Sequence, residues 1–301
     1  MVDGVLWQSE PLYQWEIVMV KIGINTDNWR HEDKSVEYCL DVIASQGVEY
    51  CEFEAVGGTE FFTGLGFAPF IDLNSDPLDL RKKLDKLGLK PSQLDVSFPI
   101  NRWECIDFIR KGIIYAGLLG CPCVDTTDGK YKVEGMSDKE QIDIIKYHIA
   151  QCVSVAENHK VILNVEPHGP FTNDAEVLLD IVEHFESEYV QINFDTGNTF
   201  IAGNDPLEFL KAVHKYVNHV HVKDVSQELA DAARGKSTGI SASAVYIGEG
   251  VNAPNINQCI EFLTETDWDG VFSIESDGEE NVFKSVAWLE EQIKAAEAKY
   301  A

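Results

Sequence analysis

The chain is expected to fold as one (β/α)8 TIM barrel, an α/β architecture with a single domain. Three observations predict it. Short apolar runs of strand character recur eight times. Each is followed by a segment of helical periodicity, and no composition break, low-complexity tract or linker divides the 301 residues. Eight such units close a parallel barrel. A doubly wound open sheet is the alternative, disfavoured because neither GxGxxG nor GxxxxGK[ST] follows the first strand.

The first strand is predicted at 21–25 (KIGIN), directly after Met19-Val20. Residues 1–18 contain acidic residues and no basic n-region, so they do not read as a secretory signal. They are taken as an N-terminal extension, with the barrel over 19–301. A helix follows at 35–46, then strand 50–56 (YCEFEAV), helix 77–87 and strand 92–98. Asp76-Pro77 marks a helix start, with a capping carboxylate before a proline in the first turn. The next units pair helix 103–119 with strand 123–127, and helix 138–159 with strand 161–167. Ser137-Asp-Lys-Glu140 has the spacing of a capping box. Helix 174–185 and strand 190–196 follow, then helix 206–217 after Asp205-Pro206 and strand 219–225. Helix 255–266, strand 271–276 and helix 282–299 complete the ring. Gly47, Gly88 and Gly120 stand just past helix ends, where a left-handed residue closes the last turn.

Composition narrows the function. Apolar residues make up 45% of the chain, enough for a sizeable core. No run approaches the roughly 18 apolar residues that span a bilayer. A net charge of −27 repels phosphate backbones and anionic membranes, so neither nucleic acid nor membrane is an expected partner. It favours a neutral substrate over a polyanion. The seven cysteines are an odd set without paired spacing, which reads as buried reduced thiols of a cytoplasmic protein.

Four side chains carry the chemistry. Glu166 (VILNVEPHG), Asp195 (VQINFDTGN), His221 (HVHVKDVS) and Glu275 (VFSIESD) stand at the ends of four successive predicted strands. A carboxylate at one strand end is most simply a helix cap. Four such residues at equivalent places converge on one rim of a parallel barrel, and like charges that close call for a cation. Three carboxylates and an imidazole suit a divalent metal, Mn²⁺ first, with Mg²⁺, Co²⁺ or Zn²⁺ as alternatives. His168 lies two residues past Glu166 and is expected on the same face, as a second acid/base. Glu54 and Asp125 end strands two and four on that rim and are candidates for sugar hydroxyls. Residues 57–75 carry Phe61, Phe62, Phe67 and Phe70, and form a candidate lid; Trp29, Phe61, Phe62 and Trp103 are candidates to stack on a ring. His148, His159, His184 and His214 fall on predicted helices and are expected at the surface.

The ordered Glu166, Asp195, His221, Glu275 set resembles that of the xylose-isomerase-like barrels, which include sugar isomerases, ketose 3-epimerases and inosose dehydratases. The resemblance covers nearly all of the chain from Lys21 onward. It implies a metal held by these four residues and a keto-sugar substrate that loses its α-proton to give a metal-stabilised enediolate. It also implies that Glu166 and Glu275 exchange protons on opposite faces of one carbon, each with a second oxygen free as a base.

This chain departs from the common ketose 3-epimerase pattern at Thr172, Asn198 and Gln227, where that group has Glu, His and Arg. The run HVHVKD is more similar to the inosose dehydratase branch, with Lys223 placed to contact a substrate oxygen or to pair with a rim carboxylate. Asn198 is kept as a substrate contact. The Glu-x-His of EPHG resembles that of metal-dependent enzymes that cleave C-glycosides of 3-keto sugars.

The leading expectation is therefore a sugar isomerase or epimerase. A lyase on the same barrel, an inosose-type dehydratase or a deglycosidase of keto-glycosides, is the alternative. A non-catalytic sugar-binding barrel is the bland reading. The expected partners are a small carbohydrate and further copies of the chain, as a dimer or tetramer, with a hetero-complex as the alternative.

Overall fold

The computed structural model describes residues 21–30, 32–55, 69–236 and 244–300. Eight parallel strands close into a barrel in sequence order: β1 Lys21–Asn25, β2 Tyr50–Glu54, β3 Lys90–Asp95, β4 Cys123–Thr126, β5 Ile162–Val165, β6 Val190–Asp195, β7 Val217–Val222 and β8 Val271–Ile274. β1 and β8 close the ring, with Lys21 opposite Val271 and Ile24 opposite Ile274.

The strands alternate. Ile24, Phe53, Leu94, Val124, Leu163, Ile192, Val220 and Phe272 are almost wholly buried in the layer shared with the helices. Their neighbours face the barrel interior, which is unusually polar. Asn164 Nδ2 donates to Gln93 Oε1 (2.7 Å), Gln93 Nε2 donates to Glu52 Oε1 (2.9 Å), and Asn193 Nδ2 donates to Asp125 Oδ2 (3.0 Å). A period of two therefore separates an apolar shell from a hydrogen-bonded lining.

The helices wrap the barrel: α1 Val36–Ser45, α2 Pro77–Leu87, α3 Cys105–Leu119, α4 Asp138–His159, α5 Ala175–Glu183, α6 Thr196–Ile201, α7 Pro206–Val213, α8 Gln227–Ala233, α9 Ala253–Glu265 and α10 Glu279–Tyr300. The expected start signals operate. Asp76 accepts from the Leu78 amide, Asp205 from those of Leu207 and Glu208, and Ser137 and Glu140 form the capping box. Gly88 and Gly120 close α2 and α3 at φ 72° and 83°.

Three local differences from the sequence reading have clear causes. β3 begins at Lys90 rather than 92, because Lys90 and Pro91 already pair with Tyr50 and Cys51, and a register shift between Cys51 and Glu52 then skips Ser92. The helix expected over 206–217 ends at Val213, and a 3-10 turn at His214–Tyr216 leads into β7 two residues early. His148 is buried rather than at the surface: it lies on the core face of α4 beside Ile145 and Ile149, with Nδ1 2.7 Å from the Ile100 carbonyl. His159, His184 and His214 are exposed as expected.

All seven cysteines are free and buried. Among the described residues no helix is long and apolar enough to cross a membrane.

Candidate active site

Each of the four predicted ligands sits within one residue of the C-terminal end of its strand, and the barrel brings them together. One donor atom from each of Glu166, Asp195, His221 and Glu275 lies within 4.8 Å of the others, and all four side chains are buried. His221 Nδ1 is 2.8 Å from Glu166 Oε1 and 3.2 Å from Glu275 Oε1. Asp195 does two things at once. Its Oδ1 caps α6, accepting from the Gly197 and Asn198 amides at 2.6 and 2.8 Å, which fixes the direction of Oδ2.

The back of the histidine is held from across the barrel. His221 Nε2 is 2.8 Å from Glu52 Oε1, while Glu52 also accepts from Gln93 and from the Ser273 hydroxyl. A carboxylate behind the imidazole fixes ring orientation and leaves Nδ1 to face the cluster. His219, two residues before His221 on the inner face of β7, hydrogen-bonds Asn193 Oδ1 through Nδ1 at 3.0 Å, deeper in the barrel. Glu52 was legible in principle, since Glu52 and Glu54 are two apart on β2 and share its inner face.

The second oxygens of the two glutamates, expected to be free, each face a nitrogen. His168 Nδ1 approaches Glu166 Oε2 to 3.0 Å. Lys223 Nζ lies 2.6 Å from Glu275 Oε2, 3.4 Å from Asp195 Oδ2, and donates to Asn198 Oδ1 at 3.2 Å. The rim ion pair, one of the two roles foreseen for Lys223, is formed. Gly197 makes room for it: a Cβ there would meet the Lys223 stem at 2.5–2.7 Å. Asn198 also donates to Glu166 Oε1 at 3.4 Å, so it links the two glutamate sides.

His168 reaches the site by a route different from strand alternation. β5 ends at Val165, and the following loop is clamped by Asp128. Asp128 accepts from the Phe171 amide (2.7 Å) and the Thr172 hydroxyl (2.8 Å), and Thr172 Oγ1 accepts from the His168 amide (3.0 Å). A Cβ on Gly169 would fall 1.8 Å from Asp128 Oδ1, so only glycine fits. Asp224, next to Lys223, latches the following long loop by accepting from the amides of Val225, Gly248, Gly250 and Asn252.

Of the other candidates, Glu54 is buried on the β1–β8 side, and Asn25 Nδ2 donates to its Oε1 at 3.5 Å. Asp125 is fully buried on the interior side, with Oδ1 lacking a partner. Trp29 is wholly buried and donates to Glu279 Oε2, so it is not placed to stack on a ligand; Trp103 is exposed. Phe61, Phe62 and Phe67 lie outside the described residues, as does most of the candidate lid.

The electrostatics follow from burial and crowding. Burial pushes the Glu166 carboxyl upward, but His168 and His221 outweigh it and hold it below the usual carboxylate range. Burial acts likewise on Glu275, and Lys223 and His221 bring it down to about 2. Asp195 goes the other way, up to about 6, because burial exceeds what Lys223 offsets and Glu275 adds to it. Burial favours a neutral His221, yet Glu52, Glu275 and Glu166 raise it well above an ordinary histidine. A proton on Nδ1 between two carboxylates sits where a cation satisfies the same oxygens, and metal binding there releases it. The hard, buried, oxygen-rich donor set therefore fits a divalent ion.

Comparison with known proteins bears on the same region. A family model described as a xylose isomerase-like TIM barrel matches residues 40–292. An uncharacterised protein of Methanocaldococcus jannaschii is 30% identical over 245 residues, 78% of this chain and 71% of that protein. Inosose dehydratase 2 of Bacillus cereus is 29% identical over 111 residues, covering 35% of this chain and 36% of the enzyme, so the match spans about a third of that relative. Among solved structures, a D-tagatose 3-epimerase-like protein aligns with a TM-score of 0.75 at 21% identity, over 94% of this chain and 100% of that one. The IOLI protein with a bound zinc atom aligns at 0.67 and 18%, over 94% and 99%. At these identities the structural likeness speaks to fold alone.

Proposed function

This chain belongs to the xylose isomerase-like TIM-barrel family, and we propose that it is a divalent-metal-dependent sugar isomerase or epimerase acting on a keto-sugar. The observation that carries the reading is the convergence of Glu166 and Glu275, from β5 and β8, on one His221 nitrogen beside Asp195. When bound, a divalent ion supplies Lewis-acid polarisation of the ketone and offsets the charge that develops as the α-proton leaves. Manganese is the preferred ion on this reading.

The chain's own residues divide the remaining work. Glu166 and Glu275 are the proton-transfer pair, working from opposite sides of the substrate carbon. His168 exchanges the proton that Glu166 Oε2 gains or loses, since the two atoms are already 3.0 Å apart. Lys223 orients Glu275 and keeps it ionised, and Asn198 holds Lys223 and Glu166 in register. Glu54 and Asp125 accept from sugar hydroxyls.

A second reading, a lyase, is favoured by His168. An imidazole paired with the catalytic glutamate has the chemistry to protonate a leaving hydroxyl or aglycone β to the carbonyl. The local likeness to inosose dehydratase supports the same reading. Incubation with Mn²⁺ and keto-sugars in D₂O separates the two. Deuterium in an intact sugar is the expected result for an isomerase or epimerase, and loss of water or aglycone identifies a lyase. No exchange and no elimination with any keto-sugar would overturn both.

A further inference from the structure

Where β2, β8 and the 3-10 turn Thr26–Trp29 after β1 come together, a second buried acidic cluster forms. Carboxylate oxygens of Asp27, Glu54 and Glu275 lie within 4.8 Å of one another, and each of these residues is more than nine-tenths buried. Asp27 Oδ2 pairs with Arg30, but Asp27 Oδ1 has no hydrogen-bond partner among the described residues. Among the described residues, Glu54 Oε1 receives the long contact from Asn25 Nδ2 at 3.5 Å. Buried acceptors in this state call for donors.

We infer that Asp27, Arg30 and Glu54 form a recognition subsite for vicinal hydroxyls of an uncharged polyol, the end of the substrate remote from its carbonyl. The inference rests on the keto-sugar reading above and specifies its substrate class as non-phosphorylated. Two physical arguments select this ligand. A second divalent cation in the pocket would stand beside the Arg30 guanidinium and near the Lys223 ammonium that already holds Glu275 at 2.6 Å, and like charges oppose it. A phosphate ester would find both cations already engaged, Arg30 by Asp27 and Lys223 by Glu275 and Asp195, and would face the carboxylates directly. Hydroxyls satisfy the acceptors without adding charge, while the guanidinium donates back to a sugar oxygen.

The test uses the full chain loaded with Mg²⁺ and two matched pairs of probes: D-fructose with D-fructose 6-phosphate, and myo-inositol with myo-inositol 1-phosphate. Binding is read by saturation-transfer NMR. The neutral member of at least one pair should bind at least about tenfold more tightly than its phosphate. Asp27→Asn and Glu54→Gln should each weaken it by about tenfold or more, the cost of placing an amide NH2 where a carboxyl oxygen stood, with the metal content per chain unchanged. Tighter binding of the phosphates, unaltered binding in both variants, or no binding of any probe overturns the subsite. So does uptake of a second Mn²⁺ per chain that both variants lose, which would make the pocket a cation site. If the variants lack the native circular dichroism, the pair preference and the metal count of the unaltered chain decide. Neutral-polyol binding without turnover of any keto-sugar leaves the subsite standing and removes the reaction. Turnover of a phosphorylated keto-sugar does the reverse.

Discussion

The half of the barrel built from β1–β4 and the half built from β5–β8 are both acidic inside, but they carry their acid differently. In the first half Asp27, Glu52, Glu54, Asp95, Asp125 and Asp128 are buried, and Arg30 is the one buried arginine or lysine described there. In the second half Glu166, Asp195, Asp224 and Glu275 are buried together with Lys223, His219 and His221. The consequence lies in the balance of burial against neighbouring charge. Burial and neighbouring carboxylates push Glu54 and Asp125 well above the ordinary range and Asp95 up to about 7. Glu166 and Glu275, equally buried, are instead held down by His168, His221 and Lys223. Glu52 proves the rule: it belongs to the first half by sequence, yet the second half's His221 and His219 bring it down against its own burial. The second half holds its two glutamates charged, although Asp195 there is pushed up to about 6, while the acids of the first half mostly face one another.

The largest effect should come from the charge-holding half. Asp195→Ala removes both the cap on α6 and a donor oxygen, and elemental analysis should find the purified protein without its divalent metal. Full metal content in that variant would sink the ligand assignment. Glu275→Gln should leave the fold intact, read by circular dichroism, and lower turnover by at least about 10²–10⁴-fold, the usual contribution of a positioned base. Wild-type turnover on the true substrate would remove Glu275 from the chemistry.

Glu52→Gln tests whether the halves are coupled across the barrel. Loss of the carboxylate behind His221 should weaken metal affinity by about 10–100-fold, measured by Co²⁺ titration followed through its visible absorption. An unchanged affinity would show that Glu52 is only part of the interior lining. Gly169→Ala should strain the clamp between Asp128 and the His168 loop, costing about 1–3 kcal/mol in denaturant unfolding because the new Cβ overlaps a carboxylate oxygen. Unchanged stability would mean that the loop yields without strain. The smallest effect is expected at the N-terminus: a chain beginning at Met19 should match the full chain in Tm and turnover. A marked loss in either would make residues 1–18 part of the working protein.

Much of this was legible because strand and helix periodicities are local. The eight units, the proline-led helix starts and the capping box needed only neighbours in sequence. The Glu166, Asp195, His221, Glu275 set was legible for the same reason, since each residue stands at the end of a recognisable apolar strand. His168 was found by an argument that did not apply, strand alternation, and reached its place through a clamped loop instead. His148 misled because a polar residue on a helix defaults to solvent, and nothing local announces that the Ile100 carbonyl waits for it in the core.

The sequence by itself determined the barrel and the rim on which its acids and imidazole collect, because a period of two along each strand sorts apolar residues outward and polar residues inward. Only the tertiary structure decided which acids meet which cations. Closure of β1 against β8 brings Asp27 and Glu54 to Glu275, more than two hundred residues away, and the width of the barrel lets Glu52 reach His221 from the opposite wall. Those pairings depend on the order and stagger of strands around a closed ring, which no local pattern encodes.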